Sequence, residues 1–130
     1  MKIAIFAAAL VSLSFASASA TLGQTTVCIP ALQGRTFVSM DELLTIDSIS
    51  VCSDNELVDA ITYFDIIIIQ QGRDAVLPFP SDSRFINNNM REALLKTDPS
   101  KDVKVIFDVI RLRLKDGTEI IAPSFELETR

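Results

Sequence analysis

The residues able to do chemistry in this 130-residue chain are carboxylates and two cysteines, because there is no histidine. Without an imidazole, Ser-His and Cys-His nucleophile pairs and histidine metal sites are excluded. Two carboxylates flanking one bond suffice for glycoside hydrolysis, and Asp41 with Glu42, or Asp47 with Asp54, are the pairs on offer. Neither spacing by itself brings two acids into a shared cleft, and adjacent acids in loops are ordinarily solvated. Asp82 and Asp98 stand where a helix would begin and stop, which accounts for them by capping. There is no Asp-x-Asn-x-Asp-Gly calcium loop, glycine-rich phosphate loop or Cys-x-x-Cys motif. The chain is therefore read as non-enzymatic, with no cofactor and no metal.

The two cysteines, Cys28 and Cys52, take their meaning from the N-terminus. Lys2, an apolar run over 3–13 and the small residues Ala18-Ser19-Ala20 form a signal peptide over 1–20, with cleavage before Thr21. A membrane span would need about 20 apolar residues, and here serines interrupt the run from Ser12 onward. Export to the periplasm or out of the cell lets disulfides persist, so Cys28 and Cys52 are expected to be bonded to each other. Residues 21–130 then suit one domain with one core and no membrane insertion. The formal net charge of −5 becomes one unit more negative when Lys2 leaves. Nucleic acid and anionic membranes require clustered Lys and Arg, so neither is an expected partner. The expected partner is a protein, either another chain or a second copy.

The element that must organise these residues is the run 61–70. As a strand it places Ile61, Tyr63, Asp65, Ile67 and Ile69 on one face and Thr62, Phe64, Ile66 and Ile68 on the other. Consecutive β-branched residues favour a strand, and large apolar groups on both faces predict a central position with cover on both sides. Asp65 must then be hydrogen-bonded, paired with Arg84 or Arg111, or exposed at a gap, because an unpaired buried charge is costly.

Ahead of it, a loose leader runs to Thr25, 26–29 forms a first strand stopped by Pro30, 36–40 a short extended piece and 44–52 an alternating strand. Behind it, a turn surrounds Gly72 and 75–79 is extended. Pro78-Phe79-Pro80 fixes the backbone and makes Phe79, with Pro78 and Pro80, the candidate partner contact; the alternative is a ring that plugs the sandwich end. Ile86, Met90, Ala93 and Leu94 recur at helical spacing, which predicts a helix from Ser83 or Arg84 to Lys96 with Asn87, Asn88 and Asn89 on its polar face. Strands over 103–107 and 109–114, separated by Asp108, lead to an Asp116-Gly117 turn. The return over 119–128 carries Phe125 and Leu127 inward, with Glu126 and Glu128 outward and Arg111 and Arg113 across the hairpin from some of the glutamates.

About seven short strands with turn signals roughly every 8 to 12 residues predict a mainly β fold, an immunoglobulin-like antiparallel β-sandwich with one α-helix. The alternative is an α+β fold, an open antiparallel sheet covered by one helix. The order Phe64-Asp65-Ile66-Ile67-Ile68, Gly72, Ser83-Arg84-Phe85 with Met90 and Leu94, Asp102-Val103-Lys104-Val105, Phe107, Ile110, Asp116-Gly117 and Pro123-Ser124-Phe125-Glu126-Leu127 resembles the C-terminal domain of the gliding-motility protein GldM. The resemblance covers 44–130 and rests on core and turn residues, which speak to fold more than function. It implies an immunoglobulin-like periplasmic module of Bacteroidota-type bacteria, here as a free-standing exported domain, from a family of membrane-anchored, dimeric components of the type IX secretion and gliding machinery. The expected function is a protein-interaction or structural module accessory to the cell envelope, gliding or type IX secretion machinery. The alternatives are an inhibitor or immunity protein of a secreted enzyme, and a small secreted carboxylate-dependent hydrolase.

Overall fold

The computed structural model describes residues 25–53, 55–72 and 78–129. The expected signal peptide, Asp54 and the 75–77 part of the expected extended segment lie outside the described residues. Two long strands dominate: β4 (Val58–Gln70) and β6 (Val103–Leu114) pair antiparallel along most of their length. On the far side of β6, β8 (Phe125–Thr129) pairs with 104–107 and β7 (Glu119–Ala122) with 110–113. On the far side of β4 lies β5 (Phe79–Ser81), and β2 (Phe37–Val38) joins β8 in parallel. A separate ribbon pairs β1 (Val27–Cys28) with β3 (Ser50–Val51). Strand makes up 45% and helix 16% of the structure, so the class is the predicted one: mainly β, two sheets and one main helix, α2 (Asn88–Leu95).

The core lies on one face of the six-stranded sheet. Phe64, Ile66 and Ile68 of β4 meet Val105, Phe107, Ile110 and Leu112 of β6 there, all buried. Phe107 stacks on Phe125 with ring centroids 4.5 Å apart and on Phe64 at 6.1 Å, so an aromatic row crosses three neighbouring strands. The ribbon, α2 and the loop around Ile46 and Ile49 cover this face, joined to the same core through Val27, Ile29, Met90 and Leu94. The Cys28–Cys52 disulfide, with Cα atoms 5.8 Å apart, closes the ribbon onto itself as expected. Gln70 ties the end of β4 to the turn after α2: its amide donates to the Asp98 carbonyl at 2.8 Å, and its side-chain oxygen accepts from the Asp98 N–H at 3.0 Å.

Several local expectations are corrected. Residues 44–52 do not form one strand; only Ser50–Val51 pairs, and α1 (Met40–Leu44) stands where the two extended pieces were expected to approach each other. The reason is a capping box: Ser39 Oγ accepts from the Glu42 N–H at 3.1 Å while the Glu42 carboxylate accepts from the Ser39 N–H at 3.3 Å. Arg35, 2.7 Å from Glu42, holds that carboxyl below its usual range. The main helix begins at Asn88, later than predicted, because Asn87 rather than Ser83 is its cap and accepts from the Met90 N–H. Asp82 therefore caps nothing in α2. The pieces 103–107 and 109–114 are one strand, bent rather than divided. Opposite Phe64 it carries an extra residue, Val109, at a φ of 49°, a bulge that keeps Phe107 and Ile110 on the same face. Pro123-Ser124 breaks the return into β7 and β8. Thr25, expected in a loose leader, is fully buried and bonded to Asn55.

Replacing both cysteines by alanine should lower stability by about 3 kcal/mol, since the disulfide restricts the unfolded chain between Cys28 and Cys52. Denaturant unfolding followed by circular dichroism reads this directly, and an unchanged midpoint would show that the ribbon is held by packing alone.

Candidate functional site

The second face of the large sheet has no layer over it among the described residues. The sequence predicted cover on both sides of the central strand; the described residues supply it on one. Register identifies the residues left outside. On β4 they are Tyr63, Asp65, Ile67 and Ile69, and across from them on β6 stand Arg111, Asp108, Ile106 and Lys104. The next strand places Glu126 beside Ile106 and Glu128 beside Lys104 on β8, with Ile121 beside Arg111 and Glu119 beside Arg113 on β7. Ile69 is 43% and Ile121 61% exposed, and Phe37, next to Glu128 at the β2 edge, is 47% exposed. The long strands therefore carry apolar groups on a face that the described residues leave partly exposed.

The polar groups on this face are ordered. Tyr63 donates its hydroxyl proton to Asp65 Oδ1 at 2.5 Å, and the Arg111 guanidinium lies over the Tyr63 ring, 4.7 Å from its centroid. Asp65 is thus satisfied by a neighbour on its own strand and pairs with neither Arg84 nor Arg111. Its carboxylate raises the Tyr63 ionisation above the ordinary phenol range, partial desolvation adds to this, and Arg111 opposes it. Lys104 lies 3.7 Å from Glu128 and 3.9 Å from Glu126, Arg111 lies 4.0 Å from Glu119, and Arg113 meets Asp59 at 3.0 Å. Such exposed pairs add little to stability; they surround Ile67 and Ile106, which are half-buried, and Ile69, which is exposed.

The acids singled out from the sequence do not converge. Asp41 is exposed on α1, Glu42 is committed to the capping box, Asp47 pairs with Arg91 across 3.1 Å, and Asp98 accepts from Ser100. Among the described residues no group of three His, Cys, Asp or Glu is placed to hold a metal ion. A cleft of about 490 Å³ between β3 and the start of β4 is lined by Ser53, Asn55, Glu56, Asp59 and Arg84, but its Asp59 is already engaged by Arg113.

Phe79, the expected anchor, is half-buried and packs against the core from β5 opposite Ile66. Pro78 and Pro80 are exposed, and Pro80 sits across from Asp65 at the margin of the open face. The exposed ring nearby is Phe85, 51% exposed with Arg84 over it at 4.9 Å. Sequence reasoning placed Glu126 and Glu128 outward but missed Lys104 and Ile106 beside them on the same surface. Their signal was the alternation within 103–108, visible only once that stretch is joined to 109–114 as one strand. No helix among the described residues is long and apolar enough to cross a membrane. No protein-family model matches the chain, and no curated protein matches it.

Tyr63 is the only tyrosine and there is no tryptophan, so ultraviolet titration reports this cluster alone. The native chain should ionise above pH 10, and Asp65→Asn should bring the transition down toward that value. Because the folded-state pKa is raised, the associated stabilisation is complete below the unfolded value of about 10 and is lost as pH rises through the native pKa. A native titration at the ordinary value would show that the Tyr63–Asp65 bond does not persist in solution.

Proposed function

We propose that this chain is an exported, non-enzymatic protein-interaction or structural module that engages a protein through the open face of its large sheet. The observation that carries the reading is that Ile67, Ile69 and Ile106 project from the outer face of the two longest strands while the opposite face of the same strands forms the core. Contiguous apolar surface of this kind marks interaction sites. The ordered charges around it supply a polar rim, the anatomy of a protein interface. The Cys28–Cys52 bond fits an oxidising compartment such as the periplasm or the exterior. The resemblance to the C-terminal domain of GldM extends the proposal to an accessory role in the cell-envelope, gliding or type IX secretion machinery.

In-cell crosslinking and capture of the exported chain, with bound proteins identified by mass spectrometry, tests this. An envelope or secretion component should be recovered with the parent chain and with Phe79→Ala, and lost with Ile69→Lys. Burial of one isoleucine contributes about 1.5–3 kcal/mol, so the loss should be at least tenfold. Recovery unaffected by Ile69→Lys would overturn the assignment of the face, and recovery of a single secreted enzyme would replace the module by an inhibitor.

A further inference from the structure

We infer that the cleft between β3 and the start of β4 receives an extended peptide of a partner protein, which adds as a strand to the free edges beside it and runs from a basic residue at Glu56 to an acidic one at Arg84. The site is separate from the open face of the large sheet. Its basis is a strand position that the chain fills over part of its length only. Residues 84–86 lie antiparallel to 47–49: Ser48 bridges Phe85, the Ile49 N–H donates to the Arg84 carbonyl at 3.0 Å, and the Ile86 N–H donates to the Asp47 carbonyl at 2.8 Å. Ahead of Arg84 the chain leaves this line. It turns through Ser83, with the Ser81 hydroxyl donating to the Phe85 carbonyl at 2.7 Å, and belongs to β5 on the edge of β4 instead.

The backbone left without a partner follows from alternation. In an antiparallel ladder the N–H and C=O of one residue point to the same side, and successive residues point to opposite sides. The Cys52 N–H donates to the Thr26 carbonyl at 2.9 Å on the β1 side, while the Ile49 N–H points the other way, to Arg84. The N–H and carbonyl of Val51 therefore share the side of Ile49 and face the cleft, where no described strand meets them. Across the cleft, β5 covers only 64–66 of β4, which leaves the edge over 58–63 without a described strand. Free edges of this kind are templates for the backbone of an added strand.

The lining sets the chemistry of the occupant. From the level of Ile49 to that of Ser53 a strand covers about 14 Å, room for about four residues of an added one. Val51, Val58, Ala60 and Ile61 line the cleft and suit apolar side chains at alternate positions; Arg84 stands at one end and Glu56, in the loop from β3 to β4, at the other. Among the described residues neither charge has an ionic partner. The Arg84 guanidinium rests on the ring of Phe85, which does not line the cleft, and Glu56 is exposed. A peptide that continues the antiparallel line of 84–86 has its N-terminal end at Glu56 and its C-terminal end at Arg84. The complementary order is a basic residue, alternating apolar residues and then a carboxylate, which a planar guanidinium can hold by two parallel hydrogen bonds.

Amide exchange and chemical shifts of the purified chain, read by nuclear magnetic resonance with the end-blocked peptide Lys-Val-Thr-Val-Asp as the probe at millimolar concentration, are the test. In the free chain the Ile49 amide should be protected and the Val51 amide should exchange at least about tenfold faster. The peptide should shift the amides of Val51 and of 58–61 and slow exchange at Val51 by about tenfold or more. The reversed peptide Asp-Val-Thr-Val-Lys should bind about tenfold more weakly, and Arg84→Gln, which keeps the bond from Ile49 to the carbonyl of residue 84, should narrow that difference. A fully N-methylated form of the first peptide has the same side chains and no backbone donors, and it should not bind. A Val51 amide as protected as Ile49 in the free chain, shifts absent from Val51 and 58–61, or equal binding of the N-methylated peptide would each overturn the inference. Ile69→Lys should leave peptide binding unchanged; its loss in that variant would put the peptide on the open face and overturn the cleft as its site.

Discussion

The antiparallel pairing of β4 with β6 is the constraint on which the rest of the structure depends. These are the longest described strands, and both alternate so that one face is apolar apart from Gln70 at the end of β4. That face must be buried, and the aromatic row from Phe64 through Phe107 to Phe125 fixes how the next strand lies against it. Keeping the alternation in phase over such a length requires correction, because a slip of one residue turns every side chain to the other face. The bulge at Val109 and the register shifts near Asp59 and Thr62 make that correction. A β-branched residue at positive φ is an unfavourable conformation, which shows how strongly pairing on both sides of the bulge determines the backbone there.

Because the inner face is so large, the N-terminal part of the chain is used to cover it. A two-stranded ribbon is marginal alone. Here it is closed by the disulfide and anchored by Val27 and Ile29 in the shared core. Helix α2 adds Met90 and Leu94, and the Gln70 clasp fixes its far end to β4. The covering layer is thus assembled from short pieces, none of which would hold its shape without the sheet beneath. All of these pieces go to one side. The opposite side keeps Ile67, Ile69 and Ile106 outside the core, and the functional reading follows from that asymmetry.

The class of the fold was legible because β4, the helical stripe of α2 and the Asp116-Gly117 turn each carry a strong periodic or turn signal. The disulfide was legible because the chain has only two cysteines. What went unread was decided by side chains acting on nearby backbone. Ser39 and Glu42 turn 40–44 into a helix by reciprocal capping, and Asn87 moves the start of α2 by satisfying the Met90 N–H. Asp108 has the chemistry of a turn residue but lies in a continuous strand, because the neighbouring Val109 absorbs the irregularity. The open face was half legible. Arg111 and Arg113 alternate as a wet side should, but the two-sided apolar character of 61–70 points to two covering layers, and alternation cannot say whether cover comes from within the chain or from outside it. Phe79 was ambiguous for the same reason, since a ring between two prolines can plug an edge or present itself; on β5 it lies half-buried against the core.

The most direct test of the central claim is site-specific photo-crosslinking in the producing cell, with a photoreactive side chain at position 69 on the open face and, separately, at position 85 on the exposed ring outside it. The account predicts a discrete adduct from position 69, to a second copy or to an envelope protein, and none from position 85. A specific adduct from position 85 with nothing from position 69 would contradict it and move the functional surface to the Arg84–Phe85 corner.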